Sequence, residues 1–191
     1  NESLKILKET RALLEGHFVL SSGLHSKQYI QCAKLLSFPK KAELICASLC
    51  EKIKKDIGNA DIILSPAIGG IVVGYEVGRQ LGIQTIFAER IDGKLQLRRS
   101  FNIPEGSKVL VVEDVITTGK SAIECSEIIK KNKSILVGYA CIIDRSSSKL
   151  LIKERVVSQI KINIETYEKD KLPEDLKKIQ TTQPGSRNLI K

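Results

Sequence analysis

Residues Val109–Ala122 read VLVVEDVITTGKSA, and the rest of the chain takes its meaning from how this stretch folds. Four apolar, mostly β-branched residues, Val109 to Val112, are too few for a helix and suit a strand buried on both faces of a sheet. Glu113 and Asp114 follow at the carboxyl end of that strand. Val115 and Ile116 then lead into Thr117, Thr118 and Gly119, whose hydroxyls and permissive glycine suit a tight loop that wraps an anion with backbone N–H groups. From Lys120 and Ser121 the pattern turns helical. A phosphate in the loop would therefore sit at a helix N-terminus, where free amides and the helix dipole favour negative charge.

Two plainer readings compete with this one. Gly119, Lys120 and Ser121 look like the end of a Walker A loop, but that motif needs a glycine five residues before Gly119, where this chain has Asp114. A nucleotide triphosphatase is therefore not expected. An ordinary strand-turn-helix with charges facing water would account for a strand and a glycine loop. Adjacent acids at a strand end, followed by a hydroxyl-rich loop, make a rarer combination. It resembles the phosphoribosyl diphosphate signature of the type I phosphoribosyltransferases. The resemblance implies that Glu113 and Asp114 hold the ribose hydroxyls and that the loop Thr117, Thr118, Gly119, Lys120 and Ser121 holds the 5′-phosphate. Val115 and Ile116 would line the same substrate. The chemistry is consistent, since displacing pyrophosphate from an anomeric carbon builds positive charge that carboxylates fixed in advance stabilise, with Asp114 counted as catalytic.

A chain of 191 residues suits one α/β domain with a substantial core, and 42% hydrophobic residues exclude wholesale disorder. No apolar run approaches the roughly 18 residues that span a bilayer, and the N-terminal stretch lacks a signal-peptide core. The expectation is a cytoplasmic protein that uses no membrane. With no methionine anywhere, the numbering is expected to begin after a removed or omitted start. Thirty-one Lys and Arg against 22 Asp and Glu give a formal charge of +9. Such an excess can mean nucleic acid, a membrane surface or a polyanionic small substrate, but the basic residues are scattered with few aromatics among them, so a nucleic-acid partner is not expected and surface solvation explains most of them. Five cysteines, at 32, 46, 50, 125 and 141, show no C-x-x-C spacing. Cys46 and Cys50 could share a metal on one helix face, but the series Ala42, Cys46, Leu49, Cys50, Ile53, Ile57 is an apolar helix stripe. Buried reduced thiols are expected.

In order, the chain predicts a helix over Ser3–Glu15, capped by Ser3, with Leu4, Leu7 and Leu14 on one side. Short strands at His17–Leu20 and Lys27–Gln31 flank the turn Ser21-Ser22-Gly23 and would form a flap outside the main sheet. His25 beside the turn reads as a solvated loop residue. A helix over Pro39–Ile57 precedes the first core strand, Asp61–Leu64. The loop Ser65-Pro66-Ala67-Ile68-Gly69-Gly70 follows, with two glycines that permit close backbone approach to a ligand, or a plain turn, before a helix Gly70–Leu81 ended by Gly82. A strand Gln84–Ala88 opens into Glu89–Ser100, which is long for a connection inside a compact domain. It reads either as a solvated β-hairpin around Asp92-Gly93 or as a mobile lid whose cations Arg90, Lys94, Arg98 and Arg99 close on a leaving pyrophosphate. Beyond the central motif come a helix Lys120–Lys131, a strand Ile135–Ile143, the pair Asp144-Arg145, and an edge strand with the alternation Ile160, Ile162, Ile164.

The resemblance extends over nearly the whole chain. Phe18-x-Leu20-x-Ser22-Gly23-x-x-Ser26-x-x-Tyr29 looks like the N-terminal hood of the orotate phosphoribosyltransferases, with Ser21 where better-known members carry a lysine. The tail Gln183-Pro-Gly-Ser-Arg187 resembles the short branch of that family. By resemblance, the loop with Ile68 and Gly69 binds the pyrophosphate side, with Gly69 where a lysine is usual. Arg145 and Thr117 meet the orotate carboxylate, a bidentate task that suits a guanidinium, with Ser22 and Tyr29 on the base side. Arg90 and Lys94 contact phosphoribosyl diphosphate, and Lys94, Arg98 and Arg99 act in catalysis, although the lid lacks the family's usual histidine and spaces its cations differently. The resemblance also implies Mg²⁺ carried by the substrate, with no direct protein cage and at most water-bridged contact to Glu113 and Asp114. It further implies a homodimer that shares the lid across subunits.

The fold expected is α/β of the type I phosphoribosyltransferase kind: one domain over residues 1–191, a core at about 38–165 with a central mostly parallel sheet flanked by helices, and a small hood from about 1–37 and 166–191. The expected reaction joins orotate and phosphoribosyl diphosphate to give orotidine 5′-phosphate and pyrophosphate. A purine-base relative, and a non-catalytic regulator that binds nucleic acid through its charge, are the alternatives.

Overall fold

Burial on both faces is what the run Val109–Val112 demands. In the computed structural model all four side chains are at most 1% exposed, within a strand that extends over Lys108–Ile116. The structure describes residues 2–20, 22–146 and 150–184. Ser21 and the Gly185-Ser186-Arg187 end of the tail motif lie outside the described residues. In chain order the elements are α1 (Glu2–Glu9), β1 (Leu13–Val19), β2 (His25–Ile30), α2 (Cys32–Leu36), α3 (Pro39–Asp56), β3 (Ile62–Pro66), α4 (Gly69–Leu81), β4 (Gln84–Ile91), β5 (Lys94–Leu97), β6 (Lys108–Ile116), α5 (Lys120–Lys131), β7 (Ile135–Asp144), β8 (Val156–Lys161), β9 (Thr166–Tyr167), α6 (Glu174–Lys177) and β10 (Thr181–Thr182). They divide into two compact units, Leu36–Ile162 and the chain up to Leu35 together with that from Asn163 onward.

The larger unit is built on a six-stranded sheet of order β5-β4-β3-β6-β7-β8, parallel except for β5. Its register sets Ile62 beside Val109 and Leu64 beside Val111, so the apolar centres of β3 and β6 coincide. The crossover through α4 carries the chain from β3 to β4, and the one through α5 carries it the opposite way, from β6 to β7. Right-handed crossovers in opposite directions put the two helices on opposite faces, with α3 packed beside α4. The strand order thus reverses between β3 and β6, and the crevice where ligands bind in such sheets opens outside their carboxyl ends.

Local chemistry explains the elements. Ala42, Cys46, Leu49, Cys50 and Ile53 are all buried on α3, as the stripe predicts. The five cysteines are buried and free, and burial pushes the Cys46 thiol up to about 12. On α4, Gly70, Gly74 and Gly78 face the sheet. A Cβ on Gly74 would lie 2.1 Å from Ser65 Oγ, and one on Gly78 2.0 Å from Thr85 Oγ1. Gly82, at φ +70°, ends the helix as expected. No helix among the described residues is long and apolar enough to cross a membrane.

The smaller unit carries a separate four-stranded sheet, β10-β1-β2-β9. Here the first helix is shorter than its predicted Ser3–Glu15 span. Thr10 Oγ1 donates to Ile6 O and Leu7 O, Arg11 turns into the left-handed region at φ +56°, and Leu13 begins a strand paired with Ile30. Ser3 lies inside the helix, buried, rather than capping it, and Leu14 belongs to β1. His25 is likewise not a solvated loop residue. It opens β2, is 6% exposed, and lies with Nδ1 2.7 Å from His17 Nε2, while His17 Nδ1 lies 3.0 Å from the carbonyl of Ile179.

Candidate active site

Two loops leave adjacent strands at the reversal point. Glu113 and Asp114 stand partly buried near the end of β6, and Asp114 Oδ1 accepts the N–H of Val115 at 2.8 Å. Burial, then the charge of Asp114, pushes the Glu113 carboxyl up to about 8. Burial raises Asp114 as well, opposed by the backbone N–H groups that hold it. After Ile116, Thr117 and Thr118 are exposed. Gly119 adopts φ +78° as the residue before α5, and the Lys120 N–H lies 3.4 Å from Thr118 Oγ1. The loop ends on a 12-residue helix, whose first free amides suit an anion.

The second loop, after β3, is tied back by the Ala67 N–H, which donates to Ala88 O at 2.7 Å. The Ala67–Ile68 peptide is cis, and Ile68 is 84% exposed. Gly69 opens α4 directly against Asp114 of β6, so that a Cβ there would lie 2.7 Å from Asp114 Oδ2 and 2.9 Å from Oδ1. The structure therefore brings Ile68 and Gly69 together with the β6–α5 loop. A side chain at position 69 would crowd the Asp114 carboxylate unless that carboxylate shifted.

The segment Glu89–Ser100 is a hairpin rather than a long free loop. β4 runs on to Ile91, Asp92 and Gly93 turn at φ +48° and +80°, and β5 pairs back with Arg90 opposite Leu95. The alternation Lys94-Leu95-Gln96-Leu97 drives this, with Leu95 buried in the core and Lys94 and Gln96 exposed. Two of the four cations are anchored. Arg90 forms a 2.9 Å ion pair with Glu124 and approaches Ser121 Oγ at 3.5 Å, which places it beside the β6–α5 loop. Arg99 donates twice to Glu89 at 2.8 Å and lies over the Phe87 ring. Lys94 and Arg98 are exposed.

Arg145 follows β7 next to the same end of the sheet. Its N–H donates to Ile116 O at 2.8 Å, so its backbone is tied one residue before Thr117. Asp144 is buried, accepts the Ser146 N–H at 2.7 Å and faces Lys161 at 3.7 Å. Ser22 and Tyr29 belong to the smaller unit, where Ser22 is exposed and the Tyr29 ring packs on Phe18 at 5.7 Å. Among the described residues no group of three or more His, Cys, Asp or Glu side chains is arranged to hold a metal ion. Sequence reasoning missed Glu124, which anchors Arg90 and accepts the Leu95 N–H, and Ile152, which covers Gly119. Glu124 gives no motif signal because its partner lies 34 residues away.

Asp114 against a glycine turn, Glu113 beside it in sequence, a hydroxyl-bearing loop at a helix N-terminus and Arg90 next to that loop are groups that could hold a phosphorylated sugar. The phosphoribosyl transferase domain family matches residues 38–175. The orotate phosphoribosyltransferase of Caldicellulosiruptor saccharolyticus is 48% identical over 186 residues, covering 97% of this chain and 96% of that protein. Among solved structures, the orotate phosphoribosyltransferase of Aeropyrum pernix matches with a TM-score of 0.72 at 26% identity, over 83% of this chain and 92% of its own. The adenine phosphoribosyltransferase of Thermoanaerobacter pseudethanolicus matches at 0.61 and 16% identity, over 71% of this chain and 88% of its own, a likeness of fold alone. The chain belongs to the phosphoribosyltransferase family and, within it, to the orotate phosphoribosyltransferases.

Proposed function

We propose that this chain transfers the 5-phosphoribosyl group from phosphoribosyl diphosphate to orotate, giving orotidine 5′-phosphate and pyrophosphate, a step of pyrimidine synthesis. The observation that carries the reading is full-length similarity to an enzyme of that name in a chain whose paired acids lead into a hydroxyl-bearing loop at the carboxyl end of a central strand. The ring nitrogen of orotate forms the new bond to the anomeric carbon as the bond to pyrophosphate breaks; the electron pair leaves with the pyrophosphate, and the proton of the ring N–H passes to the departing pyrophosphate or to solvent. Thr117 to Ser121 hold the 5′-phosphate, with Val115 and Ile116 lining the substrate. Glu113 and Asp114 hold the ribose hydroxyls and face the positive charge that develops on the ring. Ile68 and Gly69 bind the pyrophosphate side, where the helix dipole of α4 supports its charge.

Arg90, held beside Ser121 by Glu124, is a fixed contact to the substrate rather than a swinging one. Lys94 and Arg98, exposed on the hairpin, meet the leaving group together with Arg99. Arg145 and Thr117, both of the larger unit, recognise the orotate carboxylate. Two adjacent carboxylates outside any closed ligand cage suit a hard cation reached through water. Mg²⁺ bound with the substrate would neutralise charge on the departing pyrophosphate. A homodimer fits the exposed face Val72 and Tyr75 along α4, which a second copy would cover while sharing its hairpin. Buried free cysteines fit a cytoplasmic location.

The test is a substrate panel of orotate, uracil, adenine and hypoxanthine with wild type and Arg145→Ala. Turnover of orotate alone, lowered about a hundredfold or more in Arg145→Ala, is the expected result. Equal turnover of a purine base, insensitive to Arg145, would overturn the orotate assignment.

A further inference from the structure

The connection between β7 and β8 returns to the β6–α5 loop and grips it at three points. Arg145 N–H donates to Ile116 O at 2.8 Å, and Leu151 N–H donates to Thr118 O at 2.9 Å. Between these backbone ties, a Cβ on Gly119 would lie 2.7 Å from Ile152 Cγ1, 2.8 Å from its Cδ1 and 3.4 Å from Leu150 Cδ1. Ile152 is itself only 6% exposed and belongs to the core cluster with Ala122 and Cys125 of α5. The loop it touches is otherwise open. Thr117 and Thr118 are exposed, and Gly119 sits at φ +78° in a conformation that a glycine holds weakly when nothing packs on it.

We infer that Ile152, backed by Leu150, is a positioning residue for the 5′-phosphate loop, clamping Gly119 from the core side so that the loop's amides already face the anion. The inference rests on the phosphoribosyl reading of that loop. A glycine turn left free must be ordered when a ligand binds, and that entropy is subtracted from affinity. Ile152 removes most of it in advance. The lack of a Cβ at Gly119 then has two causes, the left-handed turn and the isoleucine beneath it.

The role separates from general stability because the two ends of the substrate use different loops. Binding of ribose 5-phosphate, and separately of pyrophosphate with Mg²⁺, is measured calorimetrically on the full chain for wild type, Ile152→Ala and Ile152→Val. Ribose 5-phosphate affinity should fall about tenfold or more in Ile152→Ala, where a loosened loop misplaces its donors. It should fall about threefold in Ile152→Val, which removes one methylene-sized group. Pyrophosphate affinity should stay within about twofold in both, since its loop does not touch Ile152. Unchanged ribose 5-phosphate binding, or an equal loss for both ligands, would overturn the inference. If Ile152→Ala does not fold, Ile152→Val supplies the same comparison. A wild-type protein that binds pyrophosphate but no ribose 5-phosphate would instead sink the phosphoribosyl reading of the loop.

Discussion

Burial, and then the charge of Asp114, pushes the Glu113 carboxyl up to about 8, whereas the proposed role of the two acids at the ribose calls for charged carboxylates. The value of kcat/KM for phosphoribosyl diphosphate should therefore rise through pH about 8, as Glu113 ionises, and Glu113→Gln should flatten that limb while lowering the plateau. Stability moves the other way. A carboxyl raised from its ordinary 4.5 to about 8 makes the folded state bind more protons than the unfolded one across that window, so stability declines as pH rises through it. The melting temperature of wild type should fall relative to Glu113→Gln between those two pH values. An equal pH dependence in the two proteins would show that the acid is not buried in this way. Gly69 poses the opposite problem to the usual lysine. Because a side chain would displace the Asp114 carboxylate, Gly69→Lys is expected to lower kcat/KM for phosphoribosyl diphosphate about tenfold or more. A gain in activity would refute the placement of Asp114. The departure from lysine is readable in the sequence. The crowding of Gly69 by Asp114 is not, because that acid lies 45 positions further on (114 − 69) and meets Gly69 only through the pairing of β3 with β6.

At the scale of elements, α4 is the most tightly placed piece of the site. Gly74 and Gly78 let it lie against Ser65 and Thr85, and that approach sets where Gly69 and the helix N-terminus meet the acids. Gly74→Ala should destabilise the protein by about 1–3 kcal/mol despite alanine's better helix propensity, as read by denaturant unfolding. A neutral or stabilising effect would mean that the helix rides further from the sheet. The β4–β5 hairpin shows how far local pattern reaches. Asp92-Gly93 and the alternation at Lys94–Leu97 both specify a hairpin, and the structure forms one. The anchoring of Arg90 by Glu124 depends on a tertiary partner and leaves no trace in the local pattern. Lys94→Ala combined with Arg98→Ala should lower kcat by about a hundredfold with little change in melting temperature, since both side chains are exposed. Loss of stability without loss of kcat would assign them to the fold instead. The first helix was harder to delimit from its residues, because Leu7 and Leu14 are spaced as two helical turns although Leu14 lies in β1.

For the whole molecule, the alternation of strands and helices around VLVVEDVITTGKSA specifies a parallel sheet, and the reversal of strand order between β3 and β6 turns it into a binding crevice. The strand end with Glu113 and Asp114 and the loop before α5 could be placed in advance because one continuous strand-loop-helix carries them. The parts that could not be read, Ile152 over Gly119 and Asp114 over Gly69, come from chain segments brought together only by the sheet. The central claim is that this crevice is a phosphoribosyl transfer site serving orotate. The most direct measurement is the loss of orotate absorbance in the presence of phosphoribosyl diphosphate and Mg²⁺, with wild type beside a Glu113→Gln, Asp114→Asn double variant. Rapid loss with wild type, slowed about a hundredfold or more in the double variant, is the expected result. No loss with wild type, or equal loss in both proteins, would contradict the account.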